Sequence, residues 1–303
     1  MCIKTKIHNM IMTANNNLTH FTTNEQCLNH FIEYWDKVIS DWFDGIIDKD
    51  QLRYGNLVNK DYMPEPYTGN PKNCSFVVVN YNAGAGDSRD PHNYRKCADC
   101  TIDRERLICY VKDHCYSKIE LPFPGLMEDK DLQLCGWAWI KDYCGFKWWQ
   151  QKKSWVDNVT KAAGVPSIKE GVMPFAIDLC GWHSKSWSNT KDIIENPALK
   201  TVVEKYVIDV IKAAIDCSCA KFAYFIGKNH IPLLEEFGFE WKAGDTPQAK
   251  KTNNGNARFF AIYMHPETKN KVIVTWTIGS NTHPGKDSFN KEAQIIQLLK
   301  GIH

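Results

Sequence analysis

The chain has 303 residues, 43% of them hydrophobic, which is enough to bury one substantial core and too apolar for a disordered protein. Its charges nearly cancel, with a formal net of +2, so it is not basic throughout; that balance neither announces nor excludes a nucleic-acid partner. No apolar run reaches the roughly 18 residues of a membrane span, and the opening Met1-Cys-Ile-Lys-Thr-Lys-Ile-His-Asn has no signal-peptide core, so the expectation is a cytoplasmic protein with no membrane contact.

Residues 1–22 are polar, Asn-rich and aperiodic, and read as a loose arm. From Thr23, with Gln26 three residues on as in a capping box, Leu28, Phe31, Ile32, Trp35, Ile39 and Trp42 recur at helical spacing until Gly45. This predicts an amphipathic helix against the core, and residues 1–60 are taken as an N-terminal extension packed on an α/β domain of residues 61–303. The three prolines between Tyr62 and Pro71 predict an extended lead-in, with Glu65 and Tyr67 either lining a cleft or simply packing.

The chain is organised around Cys74 to Asp87. Phe76 to Val79 is a short β-branched run suited to a buried strand, and Ala83-Gly-Ala-Gly86 breaks it sharply. In an open α/β sheet, ligands bind beyond the carboxyl ends of the strands, where Tyr81, Asn82 and Asp87 would stand. The Gly-Ala-Gly is neither a dinucleotide fingerprint nor a P-loop, and a plain β-to-α turn fits it equally well.

Next comes Cys97-Ala-Asp-Cys100, with Cys109 and Cys115 within eighteen residues. Four thiolates suit zinc or an iron–sulfur cluster, but the later gaps match no standard knuckle. Twelve scattered cysteines in a chain of this size fit reduced thiols better than a disulfide framework, and no cofactor is expected. Phe146 to Gly164 predicts a second amphipathic helix, with Trp148, Trp149, Trp155 and Val159 on one face, Lys147, Lys152, Lys153 and Lys161 on the other, and Gly164 as its stop.

Val172 to Leu179 reads as a second buried strand, emptying into Cys180-Gly-Trp-His-Ser-Lys-Ser-Trp187. Asp178 inside this apolar run needs a partner or a ligand, and His183 is either a structural histidine or a functional one at a strand end. Asn196-Pro197 caps a helix reaching about Asp216, Lys221 to Gly227 is a third central strand, and His230 to Phe237 is a short helix. Residues 241–258 read as a loop. Segments 258–264 and 271–278 form a hairpin at the end of the sheet, followed by a polar stretch holding His283 and Lys286 and a closing helix from Asn290 to Lys300. This alternation predicts a three-layer α/β/α sandwich with a mostly parallel central sheet and right-handed crossovers.

Three of these strand-end stretches resemble the uracil-DNA glycosylase superfamily. Asn80-Tyr81-Asn82-Ala83-Gly84 is similar to Gly-x-Asn-Pro-Gly of its mismatch-specific and thymine-DNA branch, and His283-Pro284-Gly285-Lys286 to its closing His-Pro-Ser-Pro or Asn-Pro-Ser-Gly. Between them, Phe222-Ala-Tyr-Phe-Ile-Gly227 resembles the strand ahead of the last motif, and Gly181-Trp-His-Ser184 resembles a Pro-Tyr-His-Ser of uncharacterised members. Ala83 replaces proline, Asn80 replaces glycine, and the last loop lacks the wedge leucine.

The resemblance implies a monomeric hydrolase that flips a base out of single- or double-stranded DNA and cleaves its N-glycosidic bond. Asn82 would position the water and His283 would donate to the base O2. Asp87 would supply the charge that an asparagine cannot. Asp178 and His183 would read the Watson–Crick edge of the flipped base, Tyr81 or Trp182 would stack on its face, and Ser184 and Lys286 would be further substrate-binding residues. Gly84, where the uracil-specific branch has a tyrosine, would leave room for thymine or a larger 5-substituent. A weakened member of the fold that only binds nucleic acid or nucleotide, and a hydrolase of free nucleosides, are the competing readings.

Overall fold

The computed structural model describes residues 23–60, 64, 66–82, 160–166, 173–182, 184, 190–247, 260–275, 296–297 and 299–302. The predicted arm at 1–22 lies outside them, as does most of the predicted helix from Phe146, although Thr160–Ala163 are helical and Gly164 follows with the left-handed φ of +64° expected of a helix stop.

Helix α1 (Asn24–Phe43) starts as the sequence predicts: the Thr23 hydroxyl accepts from the Gln26 N–H at 3.2 Å. Its apolar stripe, Leu28, Phe31, Trp35, Ile39 and Trp42, is fully buried against the sheet. A 3-10 segment, Gln51–Leu57, follows. The proline-rich lead-in then forms a strand of its own, β1 (Tyr67–Thr68), antiparallel to β3 (Met173–Cys180). Tyr67 packs between Phe31 and Phe175 at centroid distances of 4.8 and 5.8 Å, so it is a core residue and lines no cleft.

The remaining strands are β2 (Cys74–Asn82), β4 (Ala223–Ile226), β5 (Glu240–Gly244), β6 (Phe260–Met264) and β7 (Lys271–Thr275), in a seven-stranded sheet ordered β1-β3-β2-β4-β7-β6-β5. The inner four, β3-β2-β4-β7, are parallel, and the three outer strands are antiparallel to their neighbours. The predicted hairpin is present, but its second arm is an inner strand, and the predicted loop from residue 241 begins as an edge strand, β5. That strand, Glu-Trp-Lys-Ala-Gly, is short and has no buried residue, so its brief polar–apolar alternation is a weak strand signal.

The helices fall on both faces. After β3 come α2 (Lys191–Glu195) and α3 (Pro197–Val203), which runs through a π-helical turn (Glu204–Ile208) into α4 (Asp209–Cys217). The Asn196 side chain caps α3 by accepting from the N–H groups of Ala198 and Leu199. After β4, a 3-10 turn (Lys228–His230) leads into α5 (Ile231–Glu236). All of these pack with α1 on the face carrying Val77, Val79, Phe225 and Val274. The opposite face, Phe76, Val78, Tyr224 and Ile273, packs against Ala163, Val165, Ile296 and Leu299. The β2-to-β3 and β3-to-β4 connections run in opposite directions along the sheet, and crossovers of one hand must then cover opposite faces. Among the described residues no helix is long and apolar enough to cross a membrane.

Candidate functional site at the carboxyl edge of the parallel strands

The reversal of connection direction falls between β2 and β4. In open α/β sheets such a reversal parts the two neighbouring connections and leaves a crevice beyond the strand ends. The end of β2 is Tyr81-Asn82, and the end of β4 is Ile226-Gly227. Strand β2, the described part of the stretch around which the sequence is organised, therefore ends at the switch point of the sheet. β7, whose continuation leads to His283, leaves the same edge one strand beyond β4.

The two faces of this edge differ. On the α1 face, the Tyr81 ring stacks on His230 at 4.0 Å and 9°. His230 also meets Phe225 edge-on at 5.2 Å. The Tyr81 ring covers Gly227, where a Cβ would come within 3.0 Å of it and where φ is +122°, so only glycine fits. His230 is fully buried. Neither of its ring nitrogens has a hydrogen-bond partner, and the nearby Ile226 carbonyl offsets only part of the burial that pushes its pKa down to about 3. The imidazole is neutral at any ordinary pH. The Tyr81 hydroxyl is buried and unpartnered too, and burial pushes its pKa up.

Behind them, the Trp182 indole N–H donates to Gln51 Oε1 at 2.7 Å, Gln51 Nε2 donates to the Tyr34 hydroxyl at 2.8 Å, and that hydroxyl donates to Asp48 Oδ1 at 2.8 Å. Trp182 and Gln51 have no exposed surface. Trp182 is therefore a corrected expectation: a ring without a free face cannot stack on a base, and its polar handle is consumed in tying the end of β3 to the segment after α1. Tyr81 is corrected in part, since one face of its ring is taken by His230.

On the other face the apolar core stops early. Val78 pairs in register with Ala176 and Tyr224, and Tyr224 with Ile273, so these four make one buried row across the inner strands. Two residues further on, Asn80 stands opposite Asp178 and Ile226 opposite Thr275. One step past the Val79–Phe225 pairing sets Asn80 beside Ile226. The next row is thus Asp178, Asn80, Ile226, Thr275, about 5 Å apart at each step. Asn80, Asp178 and Ile226 are half-buried, while Thr275 is 2% exposed with its hydroxyl unpartnered. The Asp178 backbone N–H donates to the Pro66 carbonyl at 3.0 Å, and the residue has further interactions. The β2–β3 pairing ends with Asn82 opposite Cys180.

The topology thus brings together the strand ends that carry Tyr81, Asn82 and Asp178. Ser184 is buried nearby in sequence. Gly84, Asp87, His183, His283 and Lys286 lie outside the described residues, as do Cys97, Cys100, Cys109 and Cys115. Among the described residues no three His, Cys, Asp or Glu side chains are placed to hold a metal ion. The sequence reading missed His230, Asn80 and Thr275. A signal for Asn80 was present in Val-Val-Asn-Tyr-Asn, where a continuous apolar run turns into alternation, and Asp178 marks the same change in β3. Comparison of the chain with protein-family models, with curated proteins and with solved structures finds no match to any of the three.

Proposed function

We propose that this chain is a DNA base glycosylase built as an α/β/α sandwich in the manner of the uracil-DNA glycosylases. The observation that carries the reading is the convergence of Tyr81-Asn82 with the polar ends of β3 and β7 at the switch point, where a ligand crevice is expected. In the reaction the C1′–N bond breaks, its electron pair leaves with the base, and a water oxygen joins C1′ and releases a proton to solvent, which balances the proton taken up by the base anion. The Asn82 amide would orient that water, and His283 would donate to the departing base. An amide takes no proton, so turnover is slow except on good leaving groups. With Gly84 in the loop the pocket admits thymine-sized bases.

The test is release of abasic sites from single- and double-stranded oligonucleotides carrying uracil, mismatched thymine and 5-hydroxymethylated or glucosylated pyrimidines. Cleavage that Asn82→Ala abolishes while binding persists supports the reading. Binding with no turnover in either protein replaces the enzyme with a nucleic-acid-binding module, and rejection of every base larger than uracil refutes the open pocket.

A further inference from the structure

We infer that Asn80 and Thr275 form a base-reading row on the face of the sheet opposite Tyr81, and that this row, rather than the aromatic stack, sets which nucleobase is accepted. The inference rests on the glycosylase reading for the identity of its ligand and on strand register for its geometry.

Three observations lead here. The row Asp178, Asn80, Ile226, Thr275 spans all four parallel strands at the ligand-binding edge, immediately above a wholly apolar row, so the change of character is abrupt. The Asn80 end is half-buried, open enough to be approached and sheltered enough to make hydrogen bonds count. The Thr275 end is nine-tenths buried and more, yet its hydroxyl has no partner, an arrangement that costs stability unless something completes it.

The chemistry narrows the ligand. A carboxamide offers an acceptor oxygen and a donor NH2 side by side, a hydroxyl offers one of each, and neither carries charge. The row holds no cation, so it is unsuited to phosphate. Its single anion, Asp178, already has interactions. An uncharged, flat edge with alternating donors and acceptors is what such a row reads, and a carboxamide can take such an edge through two parallel bonds. Ile226, between the two polar residues, would meet the flat body of the base. The contacts to the sugar–phosphate backbone must then come from elsewhere, which separates base reading from DNA binding.

That separation is the test. Fluorescence anisotropy of the full chain is measured with short oligonucleotides bearing, at one central position, either a 2′-fluorinated uracil, thymine, cytosine or adenine nucleotide, whose sugar resists cleavage, or a stable abasic analogue. The wild-type chain is expected to hold at least one base-bearing strand more tightly than the abasic one. Asn80→Ala and Thr275→Val should each weaken that strand by about tenfold, one lost hydrogen-bonded contact, and leave abasic-strand binding unchanged. Urea unfolding should give both variants at least near wild-type stability, because Asn80 is half-buried and valine fills the threonine site without the idle hydroxyl. Asn80→Asp, which keeps the shape and loses the donor, should change the order of preference among the four bases.

Equal loss on base-bearing and abasic strands, or no loss on either, overturns the inference. So does a wild-type chain that cannot tell a base from its absence. If such a chain still excises bases, the glycosylase reading stands and only the reading row falls; if it neither discriminates nor excises, both fall.

Discussion

The two faces of the sheet at its carboxyl edge are built on opposite plans. On the α1 face, side chains pack to the very end of the strands, with Tyr81 on His230, Trp182 on Gln51, and Gly227 left bare to admit the tyrosine ring. On the other face the wholly buried row ends at Val78 and Tyr224, and a mixed row follows in which Asp178, Asn80 and Ile226 are half-buried and Thr275 is buried. The contrast is between an aromatic, tightly packed side of the edge and a more polar one, and the proposed ligand site lies on the second.

Substitutions on the closed face should be costly and those on the open face cheap, and measurements can break that contrast. The largest effect is expected from Trp182→Ala, which empties a fully buried indole site and strands Gln51. It should lower unfolding free energy by about 3–5 kcal/mol in urea titrations. A loss under about 1 kcal/mol would mean that Trp182 is not enclosed.

Acid should come second. The folded pKa of His230, about 3, lies below the ordinary histidine value of 6.5, so as acid is added the unfolded chain takes up this proton first. Stability linked to His230 is complete above pH 6.5 and is lost as the pH falls toward 3, by about 1.4 kcal/mol per pH unit at the steepest. His230→Phe keeps a flat ring against Tyr81 and cannot be protonated. The difference between its urea midpoint and that of the wild type should widen in its favour between pH 6 and 4; parallel curves would show that the imidazole reaches solvent.

Asn196→Ala removes the two cap bonds to Ala198 and Leu199 and should cost about 1 kcal/mol. Smallest is Asn80→Ala, expected to change stability by about 0.5 kcal/mol or less, because a half-buried side chain on the open face leaves little behind. A cost comparable with that of Trp182→Ala would erase the distinction between the faces.

Much of this architecture was legible in the residues. The stripe of α1, the caps at Thr23 and Asn196, the apolar runs of β2, β3 and β4 and the β6–β7 hairpin all declare themselves locally, because each depends on neighbours a few positions away. Strands β1 and β5 did not. The first is two residues long and follows prolines, and the second is a five-residue edge strand with no buried residue. The site was legible in part. Polar residues after apolar runs marked the ends of β2 and β3, but that Asn80 meets Asp178, that Thr275 joins their row, and that Trp182 is interior are consequences of register and long-range packing, which no local pattern encodes.

The link from Trp182 through Gln51 and Tyr34 to Asp48 has a practical corollary for anyone trimming this protein. Residues 24–57 are woven into the same interior as the strands, and their aromatic side chains close over Phe175 and Tyr206. A truncation starting at residue 61 would therefore uncover an oily flank and leave the Trp182 indole with no acceptor. Such a fragment should precipitate, and silence in an activity assay would then report its failure to fold, not the absence of catalysis.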